Sequence, residues 1–467
     1  MMDEILELVN NIVWSNTLIF LCLFSGVFFS IRMRFPQIRY IREMWKLLFK
    51  GSASEKGISS FQAFALAISG RVGTGNIAGV ATAIGMGGPG AIFWMWVIAF
   101  LGSASAIVEA SLGQYYKEVK DGQYRGGPAF YIEKGLKLKW YAIIFAGVTI
   151  LSTGLLLPGV QSNSIAIAVE NAFEVPTYIT GIVVALILGV IIIGGVKRIS
   201  TVAEFVVPFM AGGYILMALV IIGINYQQIP AVFKLIFDSA LGIDSAFGGI
   251  IGMAIAWGVK RGIYSNEAGQ GTAPHAAAAA EVSHPMKQGL VQGFSVYVDT
   301  IFVCTATALM ILFTGMYNVQ NPAGGFITEN IPGVKMGADF TQYAVAHHLP
   351  SVGKAFVAIS LFFFAFTTIM AYYYIAETNI SYLQKKANSK IYIRIFQGVI
   401  LISTFYGAVK TADAAWMLGD IGVGLMAWLN VIAILLMQKK AMFLFKDYEK
   451  QKKEGKDPAL ALESEQN

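Results

Sequence analysis

Runs of about 20 apolar residues recur along almost the whole chain, separated by short connections that hold most of the charge. A run of that length crosses a bilayer as a helix. On this pattern the chain predicts eleven spans, near 13–32, 59–84, 90–116, 140–172, 178–195, 199–224, 246–282, 288–315, 352–383, 391–409 and 412–437. Two further stretches have one polar and one apolar face. These are IRYIREMWKLLFK (38–50) and IPAVFKLIFDSALG (229–242), and both predict helices lying in the membrane interface. The polar stretch from Lys446 onward is expected to be disordered.

Composition agrees with the pattern. Of 467 residues, 56% are hydrophobic and 13% charged, against about 25% charged in soluble chains. The fold class expected is an all-α polytopic membrane protein. The net charge of +6 reads as topology, not nucleic-acid binding, because basic residues mark cytoplasmic loops. One alternating set of connections holds Arg32, Arg34, Arg39, Arg42, Lys46 and Lys50, then Lys117, Lys120, Arg125, Lys134, Lys137 and Lys139. It continues with Lys197 and Arg198, with Lys385, Lys386, Lys390 and Arg394, and with the tail from Lys439. The other set is poor in Lys and Arg. Eleven crossings then put the N-terminus outside the cell membrane and the C-terminus in the cytoplasm. Cys22 and Cys304 both fall in apolar runs, which argues against a disulfide or a metal-ligand pair. MMDEILELVNN lacks the basic start of a cleaved signal, so the first run counts as a true span.

Two spans break the pattern. SGRVGTGNIAG (69–79) puts four glycines and an arginine at bilayer depth, and AWGVKRGIYSNEAGQGTAPHAAAAA (256–280) is as irregular. Each opens a group of five spans, and the two groups enter the membrane from opposite sides. That is a 5+5 inverted repeat with two discontinuous helices. The expected organisation is 1–58 (an extra span plus a cytoplasmic amphipathic segment), 59–224 (first repeat), 225–245 (extracellular connection), 246–437 (second repeat) and 438–467 (cytoplasmic tail). Irregular backbone in hydrocarbon costs several kcal/mol per unsatisfied group, so it persists where it binds something. Half-helix N–H groups suit a carboxylate, and freed carbonyls suit a small cation. A carboxylate-bearing substrate moved together with Na⁺ satisfies both. Close helix packing explains one glycine-rich stretch, but not two in matching positions with polar side chains added.

Other function classes fit less well. A passive channel tends to show charged rings or a repeated carbonyl filter, and neither is visible. HExxH and GxSxG are both missing, so the chain reads as no enzyme. His275 and His284 are expected to be structural or interfacial, and His347 and His348 to be solvated in an outer loop.

RVGTGNIAGVATAI, GGPGAIFWMW, YRGGPAFYIEKGL and KRGIYSNEAGQGTAP resemble the alanine/glycine:cation symporters, also called sodium:alanine symporters, from about residue 58 to 437. The resemblance implies a leucine-transporter-like fold and import of alanine, glycine or a similar small neutral amino acid with Na⁺ as coupling ion. It places the substrate carboxylate against Thr74, Gly75 and Asn76, and Gln161 near the substrate's polar part. Tyr264, Ser265 and Asn266 stand opposite, Trp257 is a wall, and Thr368 faces the same space. It places Na⁺ among the carbonyls of Ser69 and Val72 and the hydroxyls of Thr367 and Thr368. Proton coupling and a glutamine preference are the alternatives.

Arg71, Lys260, Arg261, Glu109, Glu204, Glu267, Asp299 and Glu377 are ionisable residues in or near spans, where such groups usually pair. Arg71 has two readings: it reaches the substrate carboxylate, or it pairs with an acid and holds the broken helix. The second is preferred, because backbone N–H groups already supply carboxylate donors. Glu109, Glu204, Glu267 and Glu377 are the candidate partners, with Glu109 and Glu267 taken as structural charges beside Arg71.

Overall fold

Helices form where the apolar runs predict them. The computed structural model describes residues 2–244, 246–384 and 390–460. Lys385 and Lys386 of the expected basic set, and the last residues of the tail, lie outside the described residues. Among the described residues, eight helices are long and apolar enough to cross a membrane: Glu4–Arg32, Gly90–Tyr115, Lys139–Phe173, Gly195–Ile224, Pro285–Thr314, Gly353–Leu383, Ile391–Val409 and Ala412–Leu436. Thr177–Ile192 is a shorter apolar helix. The burial pattern shows why they sit in lipid. Gly195–Ile224 buries Ala203, Val207, Met210, Tyr214, Ala218 and Ile221 at helical spacing. Its opposite face exposes Phe205, Phe209, Leu216 and Leu219, a continuous apolar surface that only hydrocarbon accommodates at no cost.

Both irregular spans are discontinuous. The first runs as Ser60–Arg71, a π-helical turn Gly75–Gly79, and Val80–Gly87. It starts on a capping box in which Ser59 accepts from Gln62 N and the Gln62 side chain accepts from Ser59 N. The second runs as Ile251–Asn266 and Ala273–Ala279, so its break falls just past the expected Tyr264–Asn266. Glu267, Gly269 and Gly271 there have φ of 55°, 81° and 88°, a left-handed path that ends the helix. The two segments lie side by side and antiparallel. At one end Ile58 N donates to Ala279 O and Glu281 N donates to Ile58 O, both at 2.9 Å. At the other end Gly87 lies against Ala254, whose Cα would sit 3.1 Å from an added Cβ. Gly90–Tyr115 threads past both. A Cβ on Gly258 would come 2.5 Å from Ala91 O, and one on Gly293 would come 2.6 Å from Ile107 Cγ1. Small residues let these backbones approach.

The structure departs from the sequence reading in three places. It is not purely α-helical: Glu118–Lys120 pairs with Gln123–Arg125, and Asn318–Gln320 with Phe326–Glu329, as antiparallel hairpins in the connections. His347 and His348 are not in a loop but end the helix Ala338–His348, and His348 Nε2 lies 2.8 Å from Asn225 Nδ2. The tail is not disordered from Lys446, because Gln438–Lys453 is a helix that buries Met442, Phe445 and Tyr448. Its polar face hid this periodicity. It docks on the amphipathic helix Ile41–Leu48 through Lys452 Nζ and Tyr448 Oη, which reach Glu43 Oε1 at 2.8 and 3.1 Å. The stretch 229–242 forms the helix Ile229–Ala240.

The tail also docks on His284, the N-cap of Pro285–Val296. His284 Nδ1 accepts from Met286 N at 3.0 Å, so the neutral ring carries its proton on Nε2 and donates it to Asp447 Oδ2 at 3.2 Å. Burial pushes this histidine down to about 4, with Asp447 opposing the shift. The unfolded chain, titrating near 6.5, therefore takes up the proton first. The contribution is whole above about pH 6.5 and is lost as pH falls toward 4. Thermal unfolding in detergent should thus begin earlier at pH 5 than at pH 7.5, and His284→Gln should reduce that difference. An unchanged difference in the variant would remove His284 as its source.

Candidate functional site

The first break frees N–H groups that need acceptors, and the chain supplies them from two directions. Asn76 Oδ1 accepts from Gly73 N at 2.8 Å. Gln161 Oε1 accepts from Thr74 N at 3.0 Å and from Thr74 Oγ1 at 2.8 Å. Gln161 is carried by Leu157–Phe173, which follows a π-turn at Ser152–Leu156. Thr368, on Gly353–Leu383, comes in from a third side. Its Oγ1 bonds Phe364 O at 3.0 Å and lies 3.4 Å from Val72 O. Gly73 is the point where these meet: a Cβ there would stand 2.4 Å from Thr368 Oγ1 and 2.9 Å from Gln161 Oε1. Ser69 Oγ bonds back to Leu66 O. Thr367 Oγ1 donates to Phe364 O and lies 3.8 Å from Met210 Sδ, so its contacts run toward Gly195–Ile224.

The two broken segments touch at Gly75, where an added Cβ would lie 3.1 Å from Ser265 Cα and 3.2 Å from Tyr264 Cδ1. Asp299 joins them. Its carboxylate accepts from Asn76 Nδ2 at 2.6 Å, from Ser265 Oγ at 3.1 and 3.0 Å, and from Thr300 Oγ1 at 2.7 Å. Asn266 Nδ2 donates to Thr300 Oγ1 at 3.2 Å. Trp257 is displaced from this cluster: its ring lies 5.0 Å from Lys260 Nζ and 5.2 Å from Arg261 Cζ. The aromatic ring packed against Tyr264 is Trp416, at 5.2 Å between centroids.

The buried charges sort into groups. Arg71 Nη1 donates to Gln292 O at 2.9 Å and to Ser295 Oγ, and Glu267, Glu109 and Asp299 supply the facing negative charge. Its direct partners are therefore neutral. Glu109 caps the second break, accepting from Gly269 N at 3.2 Å, Gly271 N at 3.1 Å and Asn430 Nδ2 at 2.6 Å. Glu267 accepts from Thr272 Oγ1 at 2.7 Å. The other two nominated acids go elsewhere: Glu204 accepts from Gln62 Nε2, and Glu377 pairs with Arg125 at 2.8 Å. His275 is a structural residue, held between Thr272 O and Asn379 Nδ2.

Asp420 escaped the sequence survey, although a carboxylate inside MLGDIGVGL is the signal that marks such residues. Arg261 binds it with both terminal nitrogens, at 2.8 and 2.9 Å, and Lys260 Nζ adds a contact at 2.7 Å. Arg261 also lies under Trp416, at 4.8 Å. Above this layer opens a cavity of about 940 Å³ that reaches Ala78, Asn163, Asp339, Phe340, Asp413 and Trp416. The opposite end is tied shut. Lys117 Nζ and Gln114 Nε2 hold Ala280 O at 2.7 and 2.8 Å, and Arg125 holds Glu377.

The profile of the sodium:alanine symporter family matches residues 1–462. A putative sodium/proton-dependent alanine carrier of Bacillus subtilis is 61% identical over 98% of this chain and 94% of that protein. A probable sodium/glutamine symporter of the same organism is 44% identical over 98% of this chain and 93% of its own length. Among solved structures, a Na⁺-coupled sialic acid symporter in a substrate-bound outward-open state matches with a TM-score of 0.54 at 14% identity, covering 91% of this chain and 86% of that one. At that identity the likeness concerns fold alone.

Removing the guanidinium leaves Glu109, Glu267 and Asp299 buried without their facing cation. Arg71→Ala should cost about 3 kcal/mol or more, seen as a lower yield of monodisperse protein and earlier thermal unfolding. A variant as stable as the parent, impaired only in ligand affinity, would assign Arg71 to the ligand instead.

Proposed function

The chain belongs to the sodium:alanine symporter family, and on that premise we propose that it imports alanine, glycine or a similar small neutral amino acid together with Na⁺. Like the family it is a multi-pass membrane transporter and not an enzyme. The observation that carries the reading is the meeting of two antiparallel broken helices at Gly75, Tyr264 and Ser265, with Gln161 and Thr368 closing the sides.

Gln161 Oε1 occupies the acceptor position that a carboxylate would take on Thr74. A buried donor left unpaired costs about 1–3 kcal/mol, so the amide keeps the break satisfied and yields to substrate. Thr74, Gly75 and Asn76 then hold the carboxylate. Tyr264, Ser265 and Asn266 form the facing wall, Thr368 completes it, and Trp257 lines the approach. The close contact at Gly75 leaves room for a short side chain, which favours alanine and glycine over glutamine. Na⁺ binds the carbonyls of Ser69 and Val72 and the hydroxyl of Thr368, with Thr367 as a further hydroxyl on the same turn. Neutral oxygens suffice for this hard cation.

Eleven crossings organised as repeats 59–224 and 246–437 fit the antiparallel pairing of the broken segments. The extra N-terminal segment 1–58, the outer connection 225–245 and the cytoplasmic tail 438–467 complete that organisation. With the N-terminus outside, the cavity faces outward and the Lys117–Arg125 region faces the cytoplasm. Alternating access then opens the Arg125–Glu377 side as the Trp416–Tyr264 side seals. Inward Na⁺ movement contributes about 2.3 kcal/mol per charge per 100 mV.

A second reading, proton coupling, draws support from Asp299, a buried carboxylate bonded to both broken segments. The discriminating experiment is uptake of labelled alanine, glycine and glutamine into proteoliposomes under imposed Na⁺ or H⁺ gradients. Saturable, Na⁺-driven alanine uptake competed by glycine is expected. A proton gradient that suffices alone, and fails in Asp299→Asn, would replace Na⁺ by H⁺; uptake that never saturates would indicate a channel. Gly73→Ala forces Thr368 and Gln161 apart, an overpacking cost of about 1–3 kcal/mol, and should lower alanine affinity about tenfold or more without loss of folded protein. Parental affinity in that variant would move the site away from the break.

A further inference from the structure

A second cavity, of about 670 Å³, lies between the end of the first span and the tail helix, remote from the broken segments. Arg32, Arg34, Lys446, Lys450 and Lys453 line it. The last three recur at helical spacing on the exposed face of Gln438–Lys453. Two acids also line it, and both are engaged. Glu449 Oε1 takes Arg39 Nη2 at 2.6 Å and Tyr40 Oη at 3.0 Å, and Glu454 takes Lys456 at 2.7 Å. Among the described residues, no carboxylate lies within ion-pair distance of Arg34, Lys446, Lys450 or Lys453. The chain turns into this cavity through two consecutive left-handed residues, Arg34 at φ 57° and Phe35 at φ 53°. Arg39 Nη1 holds the turn by donating to Met33 O at 3.3 Å.

An apolar track leads to the same place. Phe20, Phe24, Val27 and Ile31 are exposed along one face of Asn16–Arg32, and the helix ends at Arg32, which lines the cavity. Met442 and Phe445 form part of the cavity wall. An acyl chain lying on the track delivers its headgroup among the five bases that line the cavity. We propose that this cavity binds the phosphodiester headgroup of an anionic phospholipid and so fastens the tail helix to the membrane. The site favours a lipid over free phosphate, because the helix that carries the apolar track ends at the basic cavity. Such basic pockets at the foot of spans attract anionic lipid with about fivefold in affinity per Lys or Arg.

The test uses the full chain in detergent with added phosphatidylglycerol or phosphatidylcholine, counting retained lipids by native mass spectrometry. The parent should retain phosphatidylglycerol in preference to phosphatidylcholine. Lys446→Gln/Lys450→Gln/Lys453→Gln keeps helix-forming residues at three exposed sites and should weaken that retention on the order of a hundredfold. The matched control Lys134→Gln/Lys137→Gln/Lys139→Gln removes three bases from another cytoplasmic connection and should leave retention unchanged. Equal retention of the two lipids, equal loss in the control, or full displacement by inorganic phosphate would each overturn the proposal. Retention that survives phosphate but not the tail substitutions would support it.

Discussion

Every peptide group released by the two broken helices must find a partner inside the protein, because hydrocarbon offers none. This constraint organises the centre of the molecule. At the first break Asn76 and Gln161 receive the N–H groups of Gly73 and Thr74. At the second Glu109 receives those of Gly269 and Gly271. Gln161 and Glu109 come from other helices, so each break is also a clamp between elements distant in sequence. The broken segments are thereby held in place by polar contacts that a ligand can exchange one for one. Apolar packing alone offers no such exchange.

Charge follows the same logic in three layers. Asp420 with Lys260 and Arg261 ties the second broken segment to the last span. Arg71, facing Glu109, Glu267 and Asp299, sits at the breaks. Arg125 with Glu377 ties the first hairpin to Gly353–Leu383. Each layer joins elements that alternating access would move relative to one another. Ion pairs suit such joints, because they have one well-defined bonded arrangement and release as units. The layer under Trp416 and Tyr264 gathers two cations on one carboxylate, whereas the opposite end adds Lys117 and Gln114 on Ala280 to its single ion pair.

The C-terminal helix extends the design beyond the core. It fastens the amphipathic helix Ile41–Leu48 and the start of Pro285–Val296 at once, through Glu43 and His284, and Asp457 just beyond it takes Lys287. A segment read as a polar tail is therefore a strap across one face.

Much of this was legible in the order of residues. Spans follow from apolar length, because lipid demands it, and the breaks follow from Gly73, Gly75 and the Ser265–Gly271 stretch, because helices do not tolerate such runs without cause. Gln161 and Thr368 came only through resemblance, and they do meet at Gly73. The partners of Arg71 did not follow. Four acids on different elements were candidates, with Glu109 and Glu267 taken as the charges beside Arg71, and packing gave Glu204 to Gln62 and Glu377 to Arg125. Asp420 and Trp416 lie about 150 residues from Arg261 and Tyr264, so no local pattern could join them. The chain by itself determined where helices run and where they must fail, since those depend on each segment's own exchange with lipid. Which side chains complete the breaks was decided only in the tertiary structure, since a buried polar group is satisfied by whatever the fold brings within about 3 Å of it.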